Sequence, residues 1–282
     1  MFLSRHWPCG LLLPWMLLLL PSSKVVFAYS VFILRHGQTD ANAGGLIQGS
    51  SDFSRLTDLG KQQAATVATQ AFREIPIGSI YVSPLTRAQE TLEVLQQELH
   101  WSIPAETLKN LREIDFYTWE SRHKDELKKE FPDSWRAWKV GDPHNLVVFS
   151  AEELPRYPLL ELWERADLVW DEVISRERKR IKSSEDATSL DSSSSTLLVA
   201  HGSLGQALLG TAMGWDATHF REHEFPNCGL VEIDFDWTSS SCDNSNANDK
   251  KRSLATKWRW RWPDGVPSAE WNHSNAREDD EL

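Results

Sequence analysis

The sequence at residues 31–42 reads VFILRHGQTDAN. Its first four residues are apolar, which predicts a buried strand, and Arg35 and His36 follow it directly. In α/β proteins, ligand crevices lie at the carboxyl ends of the sheet's strands. A neutral imidazole is a good nucleophile toward phosphorus, and an adjacent guanidinium can clamp phosphate oxygens through paired hydrogen bonds. This segment therefore favours an α/β fold with phosphate chemistry at a strand end.

Two further predicted strand ends carry residues of the same kind. Arg87 follows a short strand predicted at residues 79–82, and His201 and Gly202 follow another at residues 196–200. Two arginines and two histidines at three strand ends would form a cationic pocket. The chain has 30 Lys and Arg against 41 Asp and Glu, a net charge of −11, so such a pocket would select an anion. The acidic balance argues against nucleic-acid and anionic-membrane partners.

The rest of the chain alternates short apolar runs with helical periodicity. This alternation predicts a three-layer α/β/α sandwich with a mostly parallel central sheet. Strands are predicted at residues 30–34, 79–82, 196–200, 230–235 and 257–262, and helices at 57–74, 85–99, 159–180 and 203–213.

Four motifs occur in a fixed order along this pattern. They read RHGQTDAN at 35–42, LTDLGKQQA at 56–64, SPLTRAQET at 83–91 and VAHG at 199–202. The combination resembles the histidine phosphatase superfamily (branch 1), from about residue 31 to about residue 236, and implies its phosphoglycerate-mutase-like fold. Further stretches at 157–166, 206–209 and 227–229 resemble the plant and algal group that includes the 2-carboxyarabinitol-1-phosphate phosphatases.

The resemblance implies roles for the matched residues. His36 would attack phosphorus and carry the phosphoryl group, while Arg35, Arg87 and His201 would bind the phosphate. Further phosphate or substrate contacts fall on Asn42, Gln48, Gly49 and Gly202.

The segment LREIDF at 111–116 supplies the expected proton donor for the leaving oxygen. Glu113 matches the family's donor, and Asp115 is the alternative. One departure follows, because the chain has FYTWES at 116–121, where many relatives place glycines around the Trp-Glu pair. Tyr117 is expected to reshape the edge of the pocket and to affect substrate preference.

These matched residues predict a metal-independent phosphomonoester hydrolase. It would act on a small phosphorylated metabolite through a phosphohistidine intermediate, and it would need no cofactor. A phosphoglycerate mutase is the first alternative, although residues 122–138 lack the basic, Pro-rich stretch of mutases. A non-catalytic phospho-ligand-binding protein is the second, although such proteins usually lose the nucleophile or the acid. A metal site would need His219 and His223, which are spaced i, i+4 on a predicted helix. Their interpretation as solvated surface residues is preferred, because no glutamate completes a zinc-protease arrangement.

The two ends of the chain predict a location. Residues 1–28 resemble a signal peptide with an apolar stretch at 11–20 and cleavage after Ala28, an uncut membrane anchor being the alternative. Residues 272–282 form a polar tail that ends in DDEL, similar to an endoplasmic-reticulum retrieval signal. We therefore expect residence in the endoplasmic reticulum lumen without stable membrane association, with a plastid as the alternative.

The predicted domain covers residues 29–271. It is interrupted by two polar, low-complexity loops at 183–195 and 238–251. After signal removal, Cys228 and Cys242 remain, either as a disulfide or as one buried thiol and one loop thiol. The sequence leaves an oligomer open.

Overall fold

The computed structural model describes residues 28–183, 195–236 and 255–262. The strands are β1 Ala28–Arg35, β2 Ile77–Val82, β3 Ala105–Thr107, β4 Val148–Phe149, β5 Pro155–Arg156, β6 Ser195–Ala200, β7 Leu230–Asp236 and β8 Ala255–Trp262. The helices are α1 Asp40–Ala43, α2 Asp58–Ala71, α3 Thr86–Leu99, α4 Lys124–Glu130, α5 Pro132–Val140, α6 Pro158–Ser183 and α7 Gly202–Ala212. Short 3-10 turns lie at Lys109–Leu111, Tyr117–Trp119 and Ala217–His219.

Six of the strands form one sheet in the order β3-β2-β6-β1-β7-β8. Strands β3, β2, β6 and β1 run parallel, and β7 and β8 add antiparallel pairs at one edge. All six residues of β6 are buried, as expected for a parallel strand that helices cover on both faces. Strands β4 and β5 form a separate two-stranded hairpin. The predicted three-layer sandwich with a mostly parallel sheet is confirmed.

The core lies on both faces of the sheet. Side chains alternate along β1, so Val31 and Ile33 join the cluster that includes α6 and α7, while Phe32 and Leu34 join the one that includes α2 and α3. This two-sided burial explains why the first strand reads as a continuous apolar run in the sequence.

The register of the sheet brings the three predicted strand ends to one edge. Arg35 pairs with Ala200, and Val82 pairs with Val199. The pairing continues into the loops, because His36 N–H donates to Ala200 O at 3.1 Å and Ser83 N–H donates to Val199 O at 3.0 Å. The residues that follow β1, β2 and β6 therefore meet at the carboxyl edge.

Strand β1 starts earlier than the sequence indicates. We predicted a strand from residue 30, and that start is wrong, because β1 begins at Ala28 and pairs with β7 from there to Leu34. The Ser30 hydroxyl also donates to Asp234 at 2.8 Å. The predicted cleavage site thus falls at the first residue of β1.

Several predictions concern residues that the structure does not describe. They include the signal peptide up to residue 27, the tail at 272–282, Cys242, most of the low-complexity loop at 183–195 and all of the one at 238–251. Within the described ranges, Cys228 is a buried free thiol, and burial raises its pKa to about 12. None of the described helices is both long enough and apolar enough to cross a membrane.

The predicted helix that carries His219 and His223 is wrong. His219 ends the 3-10 turn Ala217–His219, and His223 lies in an irregular segment after it. The two rings are not fully solvated either. Both contact Trp215, with centroid distances of 5.8 Å for His219 and 5.4 Å for His223, and His223 also packs on Trp258 at 4.5 Å. Among the described residues, no three His, Cys, Asp or Glu side chains are grouped so that they could hold a metal ion.

Candidate active site

His36 is buried at the end of β1, and hydrogen bonds on both sides fix its backbone. Its carbonyl accepts from Cys228 N–H at 3.2 Å and from Asn227 Nδ2 at 3.3 Å. Its ring Nδ1 lies 2.7 Å from Gly37 O. A carbonyl oxygen can only accept, so Nδ1 carries the proton and Nε2 keeps its lone pair. The ring is therefore held in the tautomer that a nucleophile attacking through Nε2 requires.

Gly37 packs against the N-terminal turn of α2, which is part of the second sequence motif. A Cβ at Gly37 would lie 2.4 Å from Gly60 O, and a Cβ at Gly60 would lie 2.0 Å from Gln38 O. Both distances are far below contact distance, so only glycines allow this approach. Gly37 N–H also donates to the Thr91 hydroxyl on α3 at 3.1 Å. Glycines of two separate motifs thus set the position of the His36 loop.

Two arginines supply the positive charge of the cluster. Arg35 donates to Phe225 O at 2.6 Å, and Gly202 at the start of α7 lies against its side chain. Arg87 is fully buried and donates to Gly49 O at 2.8 Å and to Ser51 O at 3.0 Å. Burial lowers the pKa of Arg35 and lowers that of Arg87 to about 10, so Arg87 stays charged at neutral pH.

His201 completes the cluster from the end of β6. Its ring lies 5.2 Å from that of His36 at an interplanar angle of 63°, and its Nε2 lies 2.7 Å from the Ser83 hydroxyl. Burial, followed by the charge of Arg87, lowers the pKa of both histidines well below 6.5. Both rings are therefore neutral at physiological pH.

Three nitrogens of this cluster are buried without a hydrogen-bond partner. They are Arg35 Nε, Arg87 Nε and His201 Nδ1, half of the six such side-chain atoms in the described part of the chain. Buried polar atoms of this kind are uncommon, because desolvation without a partner costs about 1–3 kcal/mol. Their concentration beside His36 indicates a site that binds an anion.

Glu113 approaches the same region from the loop after β3. Its Oε2 accepts from Ser203 N–H at 3.0 Å, and its Oε1 accepts from Leu204 N–H and Ile114 N–H at 2.9 Å. Two of these donors form the N-terminus of α7, where the helix dipole stabilises negative charge. These three backbone N–H groups therefore fix the position of the Glu113 carboxyl group beside the cluster.

Asp115, the alternative proton donor, is engaged elsewhere. It accepts from Arg112 at 2.8 Å and from Arg165 at 2.7 Å. Arg165 also donates to Glu113 O at 2.7 Å, so this helix α6 residue holds the whole Glu113–Asp115 segment. Asp115 is therefore part of an arginine network, whereas the Glu113 carboxyl group lies at the N-terminus of α7.

The remaining predicted contacts lie in the loops around His36. The Asn42 side-chain oxygen accepts from Thr39 N–H at 3.2 Å and caps α1, which leaves the amide nitrogen as its donor toward a ligand. Gln48 accepts from the Thr39 and Ser54 hydroxyls at 3.0 and 2.6 Å. Gln48 and Asn42 thus share Thr39, and the neighbouring Gly49 supplies a carbonyl to Arg87.

Sequence reasoning gave no role to four residues that organise the cluster. All four lie within the motifs that carry the family resemblance. Ser83 and Thr91 are the first and last residues of the third motif, and Arg165 and Asn227 lie in the stretches at 157–166 and 227–229. The contacts concerned are Gly37–Thr91, Glu113–Arg165, Ser83–His201 and His36–Asn227, and they join residues that lie 52 to 191 positions apart in the sequence. Local patterns carry no information on such pairings.

Comparison with known proteins agrees with this geometry. A family model of the histidine phosphatase superfamily (branch 1) matches residues 31–248. A protein of Arabidopsis thaliana named "Probable 2-carboxy-D-arabinitol-1-phosphatase" is 35% identical over 209 residues, which cover 73% of this chain and 38% of that protein. The chain therefore spans about two fifths of the length of this plant relative.

Two other comparisons cover nearly whole relatives. "Probable phosphoglycerate mutase GpmB" of Shigella boydii is 32% identical over 205 residues, 73% of this chain and 84% of that protein. The solved structure of a mycobacterial glucosyl-3-phosphoglycerate phosphatase superposes with a TM-score of 0.60 at 22% identity, covering 83% of this chain and 97% of that one. The latter likeness bears on the fold alone.

The fold and the site together define an α/β protein with two histidines and two arginines gathered at the carboxyl edge of its sheet. This chain belongs to the histidine phosphatase superfamily, branch 1. The resemblance inferred from the four motifs is thereby confirmed.

Proposed function

We propose that this chain is a phosphomonoesterase that hydrolyses a small phosphorylated metabolite through a phosphohistidine on His36, with no metal or cofactor. The observation that carries the proposal is the bond between His36 Nδ1 and Gly37 O, which leaves Nε2 unprotonated within the arginine cluster. Membership of the superfamily and the plant relative's name support the reaction class.

The proposed reaction has two steps. In the first, His36 Nε2 bonds to phosphorus as the ester P–O bond breaks, and Glu113 gives its proton to the leaving oxygen. In the second, Glu113 takes a proton from water, the water oxygen attacks phosphorus, and the P–N bond breaks to release phosphate. Arg35, Arg87 and His201 stabilise the charge on the phosphoryl oxygens in both steps.

The substrate class is proposed from the name of the plant relative. That protein is named for 2-carboxy-D-arabinitol 1-phosphate. This compound carries a carboxylate as well as a phosphate. Phosphorylated sugar acids are therefore the first class to include in a substrate panel, together with sugar phosphates and an aryl phosphate.

The decisive experiment measures phosphate release by the purified chain from Tyr29 onward, with a chelator present. We expect His36→Ala to lower kcat by more than about 10³-fold, because no other group replaces the nucleophile. His219→Ala, a histidine outside the cluster, serves as the matched control and should retain activity. Full turnover by His36→Ala would refute the mechanism.

A second candidate activity is phosphoglycerate mutase, which the relative from Shigella boydii favours by name. The same preparation, incubated with 3-phosphoglycerate, distinguishes the two. Free phosphate identifies the hydrolase, whereas conversion to 2-phosphoglycerate without free phosphate identifies the mutase. Binding of phosphate without either reaction would identify a phospho-ligand-binding protein.

For location, we propose the lumen of the endoplasmic reticulum, on the strength of the signal-like N-terminus and the DDEL ending. A tagged chain that reaches the lumen and is secreted when the last four residues are deleted would support this. Import into a plastid would refute it.

A further inference from the structure

The carboxylate of Glu120 gathers hydrogen bonds from two separate loops. Its Oε1 accepts from Ser50 N–H at 2.9 Å, from the Ser50 hydroxyl at 3.2 Å and from Phe116 N–H at 2.9 Å. Its Oε2 accepts from the Ser51 hydroxyl. All four partners donate, so the site suits an acceptor-only carboxylate.

The loop held by Glu120 is also the loop that holds Arg87. The carbonyls of Gly49 and Ser51 accept from the two terminal nitrogens of Arg87 at 2.8 and 3.0 Å. Arg87 is fully buried, so water does not replace these acceptors if the loop moves. The position of its guanidinium therefore depends on the position of the two carbonyls.

Gly49 shows how closely Glu120 and this loop are fitted. Its φ is +55°, in the left-handed region, and a Cβ there would lie 2.2 Å from Glu120 Oε1. A residue with a side chain at position 49 would displace the carboxylate. Gly49, which the resemblance places in a substrate-facing loop, is thus needed for the contact with Glu120 in this structure.

We propose that Glu120 is a positioning residue for phosphoryl transfer: it sets the Arg87 guanidinium through the carbonyls of Gly49 and Ser51. Glu120 itself does not touch the phosphate. This inference rests on the proposed function, since Arg87 is the group that would bind the transferred phosphoryl oxygens.

Two variants of different severity test this chain of contacts. Glu120→Ala removes all four acceptor interactions, whereas Glu120→Gln keeps one side-chain oxygen. We expect kcat/KM for an aryl phosphate to fall about 10- to 100-fold in Glu120→Ala, because a displacement of about 1 Å has that effect at a reaction centre. Glu120→Gln should recover part of the loss. Glu172→Gln, a glutamate paired with Arg176 on α6, is the matched control and should be unaffected.

The distinguishing readout is a double-mutant cycle with Arg87→Gln. If Glu120 acts through Arg87, adding Glu120→Ala to Arg87→Gln should lower kcat/KM by less than about twofold further. Full additivity of the two losses would overturn the proposal, as would a Glu120→Ala variant with wild-type kcat/KM. Thermal melting of each variant shows whether it remains folded. A purely structural role of Glu120 predicts that the two losses of kcat/KM are additive.

Failure of the proposed function gives a different pattern. In that case the wild-type chain releases no phosphate from any ester. The Kd of orthophosphate is then measured by calorimetry for the wild type, the two single variants and the double variant. Weaker orthophosphate binding in Glu120→Ala that disappears in the Arg87→Gln background supports the positioning role. Unchanged or additive binding overturns it.

Discussion

At the scale of single residues, His36 is usable as a nucleophile only while its ring is neutral. Burial, together with the charges of Arg87 and Arg35, lowers its pKa well below 6.5. As the pH falls, the neutral form therefore persists through the range in which an ordinary histidine takes up a proton. The neighbourhood that binds the phosphate also keeps the nucleophile unprotonated.

This pKa shift predicts the acid side of the pH profile. We expect kcat/KM to show no loss assignable to His36 as the pH is lowered through 6.5, since that parameter reports the free enzyme. The His36 ring signal, followed by NMR and assigned with His36→Gln, should likewise not titrate there. A signal that titrates at 6.5 would contradict the shift.

The same shift has a consequence for stability. The unfolded chain binds the proton at a higher pH than the folded chain does, so the contribution of His36 is complete above about pH 6.5. It declines as the pH falls below that value, and His201 acts in the same direction.

At the scale of elements, the close approach of the His36 loop to α2 opposes ordinary helix propensity. A glycine inside a helix is usually less favourable than alanine by about 1 kcal/mol, so propensity alone predicts that Gly60→Ala stabilises the fold. The added Cβ would lie 2.0 Å from Gln38 O, however. We expect the steric conflict to dominate and to destabilise the protein by about 1–3 kcal/mol.

Chemical denaturation of Gly60→Ala measures this directly. Gln62→Ala, at an exposed position of the same helix, is the control and should change the free energy of unfolding by less than about 0.5 kcal/mol. A more stable Gly60→Ala variant would show that the loop can retreat, and that the second motif does not fix the His36 loop.

Elements also mark the limit of what the sequence could predict. The five predicted strands and the long helices follow from local periodicity, whereas the short strands β3, β4 and β5 were not predicted. The meeting of Arg35, Arg87 and His201 at one edge was predictable as well, because parallel strands end together. The i, i+4 spacing of His219 and His223 predicted a helix and failed. In that segment the Asp216 side chain caps a single 3-10 turn at Ala217–His219, and the backbone then turns at Arg221, whose φ is +84°.

A second departure concerns the glycine positions of the Trp-Glu motif. Tyr117 and Ser121 keep left-handed φ values of +51° and +66°, so the backbone suits glycine although the residues are larger. Tyr117 hydrogen-bonds to Glu161 and lies under the Arg156 guanidinium, 5.0 Å from it. These contacts stabilise the Tyr117 side chain in this position, and no pattern in the sequence indicates them.

At the scale of the whole molecule, the antiparallel edge of the sheet reaches the active site through one loop. Trp260 on the edge strand β8 packs on Phe225 at 5.1 Å between ring centroids. Phe225 O accepts from Arg35, and the same loop supplies Asn227 and Cys228 to the His36 carbonyl. Strand β8 therefore stabilises the loop that holds both Arg35 and His36.

Trp260→Ala should consequently affect catalysis as well as stability. We expect kcat/KM for an aryl phosphate to fall by about 10-fold, because Phe225 loses its packing partner and its loop holds Arg35 less firmly. A displacement of a full ~1 Å at a reaction centre costs about 100-fold. Trp101→Ala is the matched control: Trp101 packs on Phe72 at 5.7 Å in the other core cluster. It should lower the melting temperature while leaving kcat/KM unchanged. Equal losses of activity in the two variants would mean that tryptophan removal acts through global stability, and that β8 has no particular link to the Arg35 loop.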